Sequence, residues 1–175
     1  MPVAVWKLIL CTAIALLLVL LIWNYSPPAP LPPGIKADRV LVLKSSRELF
    51  LMRNGSVLRR YRVALGGDPI GDKQYFGDQR TPEGVYRIDY RKPDSAFHRA
   101  LHISYPNEQD RLRARQALQD PGGLIMIHGL PDRMPYLGRL HRLEDWTDGC
   151  IAVTNREIEQ LWQAVEDGTP IEIRP

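Results

Sequence analysis

The chain has 175 residues, 45% of them hydrophobic and 25% charged, which leaves room for one globular domain but not for two. Its formal net charge is +3, and it falls to +2 beyond residue 25 because Lys7 is the only charged side chain before Lys36. So small a charge does not match a nucleic-acid-binding surface, and we expect no nucleic-acid partner.

The chain begins with an apolar segment. No charged residue lies between Leu8 and Trp23, and residues 13–22 are apolar throughout, so about twenty residues from Val3 onward are long enough to span a bilayer. A cleaved signal peptide is the alternative, although Trp23-Asn24-Tyr25 replaces the small residues of a cleavage site. With Lys7 on the amino-terminal side, residues 1–25 are predicted to be a cytoplasmic start and a single-pass inner-membrane anchor, with the remainder in the periplasm.

A proline-rich segment follows the anchor. Residues 26–39 contain prolines at positions 27, 28, 30, 32 and 33, a composition typical of the polyproline II conformation. We predict a stiff linker that holds the domain away from the membrane, and a proline-rich ligand for a partner protein is the alternative.

Residues 40–175 alternate short apolar runs with turn signals, which is typical of a β-rich domain. Arg53-Asn54-Gly55 separates two runs and predicts a hairpin, and the turn at residues 81–84 leads into a further strand. Two helices are predicted, one over residues 108–118 and one after the capping box at Thr154. Other strands are predicted around residues 101–104, 124–127 and 171–173. The predicted fold class is mainly β with peripheral helices.

Cys150 is the only cysteine outside the anchor, so it has no partner for an internal disulfide in an oxidising compartment. A buried inert thiol is one interpretation, and a reactive thiol is the other. Cys150 ends the loop Thr147-Asp148-Gly149-Cys150, where glycine allows close approach of the backbone to a ligand. The amides of Gly149 and Cys150 are therefore candidates for an oxyanion hole.

A cysteine nucleophile needs a base, and the chain offers four histidines. His98 and His141 have arginine neighbours and are interpreted as solvated surface residues, while His102 is interpreted as a residue of a sheet. His128 ends an apolar strand at a His-Gly step, a position where loops often hold catalytic groups, and we predict that it is the base. The spacings typical of metal ligands are absent from the sequence, and neither a metal nor another cofactor is expected.

Three motifs occur in a specific order, Thr81-Pro82-Glu83-Gly84, then Ile127-His128-Gly129, then Thr147-Asp148-Gly149-Cys150-Ile151. Together they resemble the L,D-transpeptidase (YkuD-like) catalytic domain over about residues 40–175. The resemblance implies a β-sandwich, peptidoglycan stem peptides as substrates, and a reaction at the bond between an L-centre and D-alanine. It further implies that Cys150 is acylated by substrates and by carbapenems, that His128 takes its proton, and that the Gly129 carbonyl orients the imidazole.

The sequence departs from the family pattern at two positions. Asp148 replaces a histidine of the cysteine motif, and Ala152 replaces an arginine that often follows it. A carboxylate beside the nucleophile would repel acidic groups and attract an amine, although Asp148 is equally interpreted as a loop residue bonded to its own backbone. From their positions in or before the loop, Tyr136, Trp146, Thr147 and Asp148 are predicted to contact substrate.

The same thiol and imidazole also suit other functions. Water in place of an amine acceptor would make the protein a murein hydrolase, either an L,D-carboxypeptidase or an amidase that releases wall-bound peptides. A sortase would need an arginine on a strand soon after the cysteine, and papain-like peptidases place cysteine before histidine. A non-enzymatic peptidoglycan-binding module is the alternative of another class, and the oligomeric state stays open.

Overall fold

A computed structural model describes residues 3–175 of the chain, and the predicted cytoplasmic start at Met1 and Pro2 lies outside the described residues. Helix α1 spans Val3–Tyr25. Its segment Val5–Tyr25 has a mean hydropathy of 2.7, and no residue in the most apolar part of this segment is buried against the rest of the chain. Length and composition therefore allow this helix to cross a membrane, as they would also allow a signal sequence.

The domain that follows consists mostly of strands with two short α-helices. The helices are α2, Glu108–Gln116, and α3, Asn155–Ala164. The strands within the described residues are β1 Arg39–Leu43, β2 Glu48–Arg53, β3 Ser56–Arg62, β4 Gly84–Ser95, β5 His98–Ile103, β6 Met126–His128, β7 Ile151–Ala152 and β8 Pro170–Arg174.

The strands form one continuous ladder in the order β3-β2-β1-β8-β4-β5-β6-β7. Strand β4 joins the two halves of the ladder, because its first residues pair with β8 and its later residues pair with β5. The ends of the ladder also meet, since Ala64 and Ala152 exchange backbone hydrogen bonds of 3.0 and 2.8 Å. The ladder therefore folds over on itself around one core.

Period-two alternation along the strands builds this core. Val40 and Val42 in β1 and Leu49 and Leu51 in β2 are fully buried, while their neighbours along each strand are more exposed. Helix α3 adds Ile158 and Leu161 to the same cluster. Burial of such apolar side chains is the main favourable contribution to folding, and here it joins both halves of the ladder into a single domain.

Local sequence signals account for several boundaries. Asn54 and Gly55 both have positive φ, 50° and 76°, as the two-residue hairpin turn between β2 and β3 requires. The predicted capping box at the start of α3 is present, since Thr154 accepts from the Glu157 N–H and the Glu157 side chain accepts from the Thr154 N–H. The predicted strand at residues 124–127 is displaced to Met126–His128, because Leu124 has a φ of 56° that no strand accommodates.

The proline-rich linker lies against the domain instead of projecting from it. The Gln160 side chain donates to the Ala29 carbonyl at 2.8 Å, and Arg59 donates to the Pro30 carbonyl at 2.9 Å. Further along, the Ala37 N–H donates to the Ala164 carbonyl at 2.8 Å. The segment that the composition predicts as a spacer is therefore a strap on the domain surface.

Candidate active site

A cleft of about 340 Å³ opens where the β4–β5 hairpin, strand β6 and the loop before β7 meet. It contains the cysteine and histidine singled out by the sequence. Its lining comes from the hairpin (Lys92, Ser95, Ala96, Phe97), the β6 segment (Leu124, Met126, His128) and the loop (Trp146, Thr147, Asp148, Cys150).

Cys150 is positioned by the parallel pairing of β7 with β6. The register aligns Ile151 with Ile127 and Ala152 with His128, so Cys150 lies beside Met126 on the face that also carries His128. Strand geometry then separates the Cα atoms of Cys150 and His128 by roughly 8 Å, a distance that two side chains span with a substrate atom between them.

The thiol contacts backbone groups of the neighbouring segment. The Met126 N–H donates to Cys150 Sγ at 3.4 Å, and the thiol donates to the Leu124 carbonyl at 3.6 Å. Within residues 3–175 the thiol forms no hydrogen bond with the imidazole of His128. Hydrogen bonds between catalytic groups are often long or absent in unliganded enzymes, so this geometry is compatible with a thiol–imidazole pair.

The His128 imidazole is held by the residue that follows it. Its Nδ1 lies 2.7 Å from the Gly129 carbonyl oxygen. Because a carbonyl only accepts, Nδ1 carries the proton and Nε2 of the neutral ring keeps its lone pair. Phe97 packs on the ring, with 4.5 Å between ring centroids. The ring is thus fixed in the tautomer and orientation that a general base requires.

Asn155, the first residue of α3, supports this arrangement, and the sequence reasoning did not find it. Its side-chain oxygen accepts from the Leu130 N–H at 2.7 Å and would lie 2.7 Å from a Cβ at position 129. Only glycine fits there, which explains the His-Gly step in terms of space. Asn155 therefore positions the peptide whose carbonyl orients His128. Its position between the capping-box residues Thr154 and Glu157 suggests only a role in starting the helix, so the sequence gives no sign of this contact.

Burial keeps both reactive groups neutral at rest. Desolvation lowers the pKa of His128 below its usual range, and the hydrogen bond to Gly129 only partly opposes this. Desolvation likewise raises the pKa of the Cys150 thiol; the Met126 N–H opposes the rise, and the Asp148 charge adds to it. At neutral pH the site holds a thiol and an uncharged imidazole, not a preformed ion pair.

Comparison with known proteins identifies the family. The model of the YkuD family, described as an L,D-transpeptidase catalytic domain, matches residues 37–173. The chain belongs to this L,D-transpeptidase family. Membership implies an enzyme and accounts for the mainly β fold with few helices.

Relatives of this L,D-transpeptidase family member are longer proteins. It is 31% identical to YafK of Escherichia coli (strain K12) over 111 residues, which cover 62% of this chain and 37% of YafK. The crystal structure of the helical cell shape determining protein Pgp2 from Campylobacter jejuni is similar, with a TM-score of 0.59 and 26% identity, covering 78% of this chain and 46% of Pgp2. The Enterococcus faecium L,D-transpeptidase shares the fold at 16% identity and a TM-score of 0.53, covering 80% of this chain and 50% of that one. The chain thus spans less than half the length of YafK and Pgp2.

The predicted substrate contacts divide into two groups. Trp146, Thr147 and Asp148 line the cleft with Cys150. Tyr136 does not reach this lining; its side chain is 60% exposed and its backbone carbonyl accepts a 2.7 Å hydrogen bond from the Tyr25 hydroxyl. The hairpin residues Lys92 and Phe97 line the cleft instead, and no local motif marks them because they arrive from another part of the sheet.

The loop geometry changes the predicted oxyanion hole. The Gly149 N–H already donates to Thr147 Oγ1 at 3.2 Å, and Thr147 Oγ1 donates to the Cys150 carbonyl at 2.7 Å. The Gly149 amide is therefore occupied, whereas the Cys150 N–H has no acceptor in the described part of the chain. Gly149 is needed for its φ of 116° and for the close approach of Arg80, whose carbonyl oxygen would lie 2.5 Å from an added Cβ.

The other histidines lie outside the cleft, and one prediction about them is wrong. His141 is buried, not solvated, and accepts from the Trp146 indole N–H at 3.4 Å; burial lowers its pKa to about 3. His98 is partly exposed and pairs with Glu159, in keeping with a surface residue. His102 lies in β5 and bonds Asp89 at 2.6 Å, as predicted for a sheet residue.

We predict that His128→Ala slows alkylation of Cys150 at pH 7 by a factor of about a hundred, the lower end of general-base effects. In the native protein the rate rises as pH passes the lowered pKa of His128, and rises again as the thiol ionises at high pH. His128→Ala removes only the first rise. His102→Ala is the matched control, and a loss of the first rise in that variant instead would identify a different base. Iodoacetamide kinetics across the pH range provide the measurement.

We predict that Asp148→Asn accelerates alkylation of Cys150 by about threefold near neutral pH, because removing a neighbouring negative charge lowers the thiol pKa. Glu108→Gln, on exposed α2, removes one charge far from the cleft and should leave the rate unchanged. A slower rate in Asp148→Asn would show that this carboxylate assists the thiol.

Proposed function

We propose that this protein is a membrane-anchored peptidoglycan L,D-transpeptidase that works through a cysteine acyl-enzyme. The observation that carries the proposal is the cleft in which Cys150 and His128 share one face, with Nδ1 of His128 fixed on the Gly129 carbonyl. The unprotonated Nε2 is then the only ring atom available to receive a proton in the cleft.

The geometry supports a two-step reaction. In the first step Nε2 takes the thiol proton while Sγ attacks the carbonyl between the L-centre and D-alanine, and the Cys150 N–H donates to the developing oxyanion. The C–N bond then breaks, and the imidazolium protonates the leaving amine of D-alanine. In the second step an acceptor amine attacks the thioester and its proton passes to Nε2. The C–S bond then breaks, and the imidazolium returns the proton to the sulfur, which restores the thiol.

The resting pKa values fit this order of events. A neutral imidazole is already competent to accept a proton, and a neutral thiol avoids an unpaired charge in a buried site. Proton transfer coupled to attack means that near neutral pH the thiolate forms only where an electrophile is placed to receive it. Such coupling protects the exported thiol from unwanted reactions.

Family membership supports the substrate class. The matching family is described as an L,D-transpeptidase catalytic domain, and Pgp2 is described as a helical cell shape determining protein. We infer that this protein acts on peptidoglycan stem peptides and contributes to cell-wall organisation. The apolar helix α1 supports retention at the inner membrane, with the amino terminus inside and the cleft in the periplasm.

The fate of the acyl-enzyme depends on the competition between an amine and water. Asp148 lies at the cleft with an exposed carboxylate. Within the described residues its side chain accepts one weak hydrogen bond, from the Gln79 side-chain amide at 3.5 Å. A negative charge there favours an approaching ammonium group over an acidic acceptor. Transfer to an amine is therefore the favoured outcome, because only positioning allows an amine to compete with water.

We predict that the full chain in detergent converts tetrapeptide muropeptides into cross-linked dimers that lack one D-alanine. Cys150→Ala should abolish the reaction and leave the circular dichroism spectrum unchanged, because it removes the nucleophile from a partly exposed position. Cys11→Ala, the matched control in α1, should retain full activity. Mass spectrometry of the products decides the case: tripeptide monomers alone would make the enzyme a hydrolase, and unchanged turnover in Cys150→Ala would contradict the mechanism.

A further inference from the structure

A second cavity of about 530 Å³ lies behind the active-site cleft. Its surface is mostly apolar and includes Met134, Leu137, Leu140, Leu143 and Trp146, while His141 and Glu144 also line it. Trp146 is shared, since it lines this cavity on one side and the Cys150 cleft on the other. We refer to residues 131–146, which contain the cavity lining, as the crossover segment.

The crossover segment is only partly covered. Leu143 is 78% exposed, and Met134 is 45% exposed. Residues 135–143 form short 3-10 turns that are interrupted at Gly138, so the apolar side chains are gathered on one side. A contiguous exposed apolar patch on a polar domain marks a contact surface.

The end of α1 is docked on the same segment. The buried Asn24 side chain accepts from the Leu140 N–H at 3.0 Å, and an added Cβ at Gly138 would lie 2.8 Å from the Asn24 side chain. Gly138 has a φ of 51°, so both its conformation and its surroundings require glycine. This contact is built by shape as well as by hydrogen bonds.

Arg139 strengthens this docking. Its guanidinium donates to the Trp23 and Ser26 carbonyls at 2.9 and 3.0 Å and lies over the Trp23 ring. These carbonyls are at the carboxyl end of α1, where unpaired acceptors and the helix dipole favour a cation. The domain therefore meets the helix directly, with no free linker between them.

This docking fixes the depth of the crossover segment relative to α1. If α1 spans the bilayer, Trp23 and Tyr25 lie at its outer interface, where aromatic residues concentrate. Because Asn24 and Tyr25 bond residues of the crossover segment, that segment lies at the same level. Leu140 connects the two features, because its N–H donates to the Asn24 side chain and the residue also lines the apolar groove.

We propose that the crossover segment is a membrane-contact surface whose apolar groove lies in the interfacial layer of the bilayer. The proposal rests on the membrane anchoring that is part of the proposed function. Leu143 and Met134 enter the boundary between head groups and acyl chains, as amphipathic surface elements do. Trp146 then separates lipid from substrate, and the cleft opens beside the membrane surface, which favours stem peptides close to that membrane.

A fluorescent label tests the contact in the full chain, reconstituted in phosphatidylethanolamine and phosphatidylglycerol vesicles. A Leu143→Cys variant that also carries Cys11→Ser and Cys150→Ser takes an NBD label at one position. Leu118→Cys in the same background is the control, since Leu118 is 93% exposed on the loop after α2. We expect nitroxide lipids labelled near the head group to quench the label at position 143 at least about twofold more than the label at 118.

The native Cys11, labelled in a Cys150→Ser variant, separates the two claims. Quenching of that label by acyl-chain nitroxides shows that α1 is in the bilayer, and its absence would overturn the anchoring itself. If the label at position 11 is quenched but the labels at positions 143 and 118 are quenched equally and weakly, only the membrane-contact surface is overturned. A signal at 143 that changes with protein density but not with nitroxide lipid would show that a second copy covers the groove, which also overturns the proposal.

Discussion

The parallel pairing of β6 with β7 is the constraint on which the site depends. It brings His128 and Cys150 onto one face although they are far apart in the sequence. Parallel strands require a long crossover connection, and here that connection comprises residues 129–150. One stretch of chain therefore provides the carbonyl that orients His128, the surface on which α1 docks, the Trp146 wall and the cysteine loop. The proposed catalytic site and the proposed membrane-contact surface therefore share this connection.

Electrostatics around the thiol are balanced, not strongly activating. Burial opposes ionisation of both Cys150 and His128, and Asp148 adds to the effect on the thiol. The Met126 N–H and the positive charge of Lys73 oppose this rise in the thiol pKa. Lys73 is itself buried and pairs with Asp78 at 2.7 Å. Asp148, at the position of the family histidine, thus adds to the effect of burial in raising the pKa of the Cys150 thiol.

Much of this structure follows from short-range signals in the sequence. The Asn54-Gly55 turn, the Thr154 capping box and the alternation in β1 and β2 each predict an element that the structure contains. The order of the three motifs predicts the family and the mainly β fold. These signals succeed because turn conformation, capping and burial depend on neighbouring residues, which a sequence displays directly.

Other features depend on contacts between distant segments. His141 was interpreted as solvated from its arginine neighbour, yet Arg142 pairs with Glu157 of α3 and His141 is covered beside Trp146. The Gly149 amide was assigned to the oxyanion hole, but the Thr147 hydroxyl folds back to occupy it. The composition of residues 26–39 predicts a stiff spacer between membrane and domain, but it does not indicate that Ala29 and Pro30 contact Gln160 and Arg59.

The central claim is that Cys150 is a nucleophile which His128 activates, and the intact mass of the protein after incubation with a carbapenem tests it most directly. The account predicts one covalent adduct of the carbapenem mass, mapped by peptide analysis to Cys150, that is absent in Cys150→Ala and forms more slowly in His128→Ala. Native protein without an adduct, or an adduct on a residue other than Cys150, would contradict it.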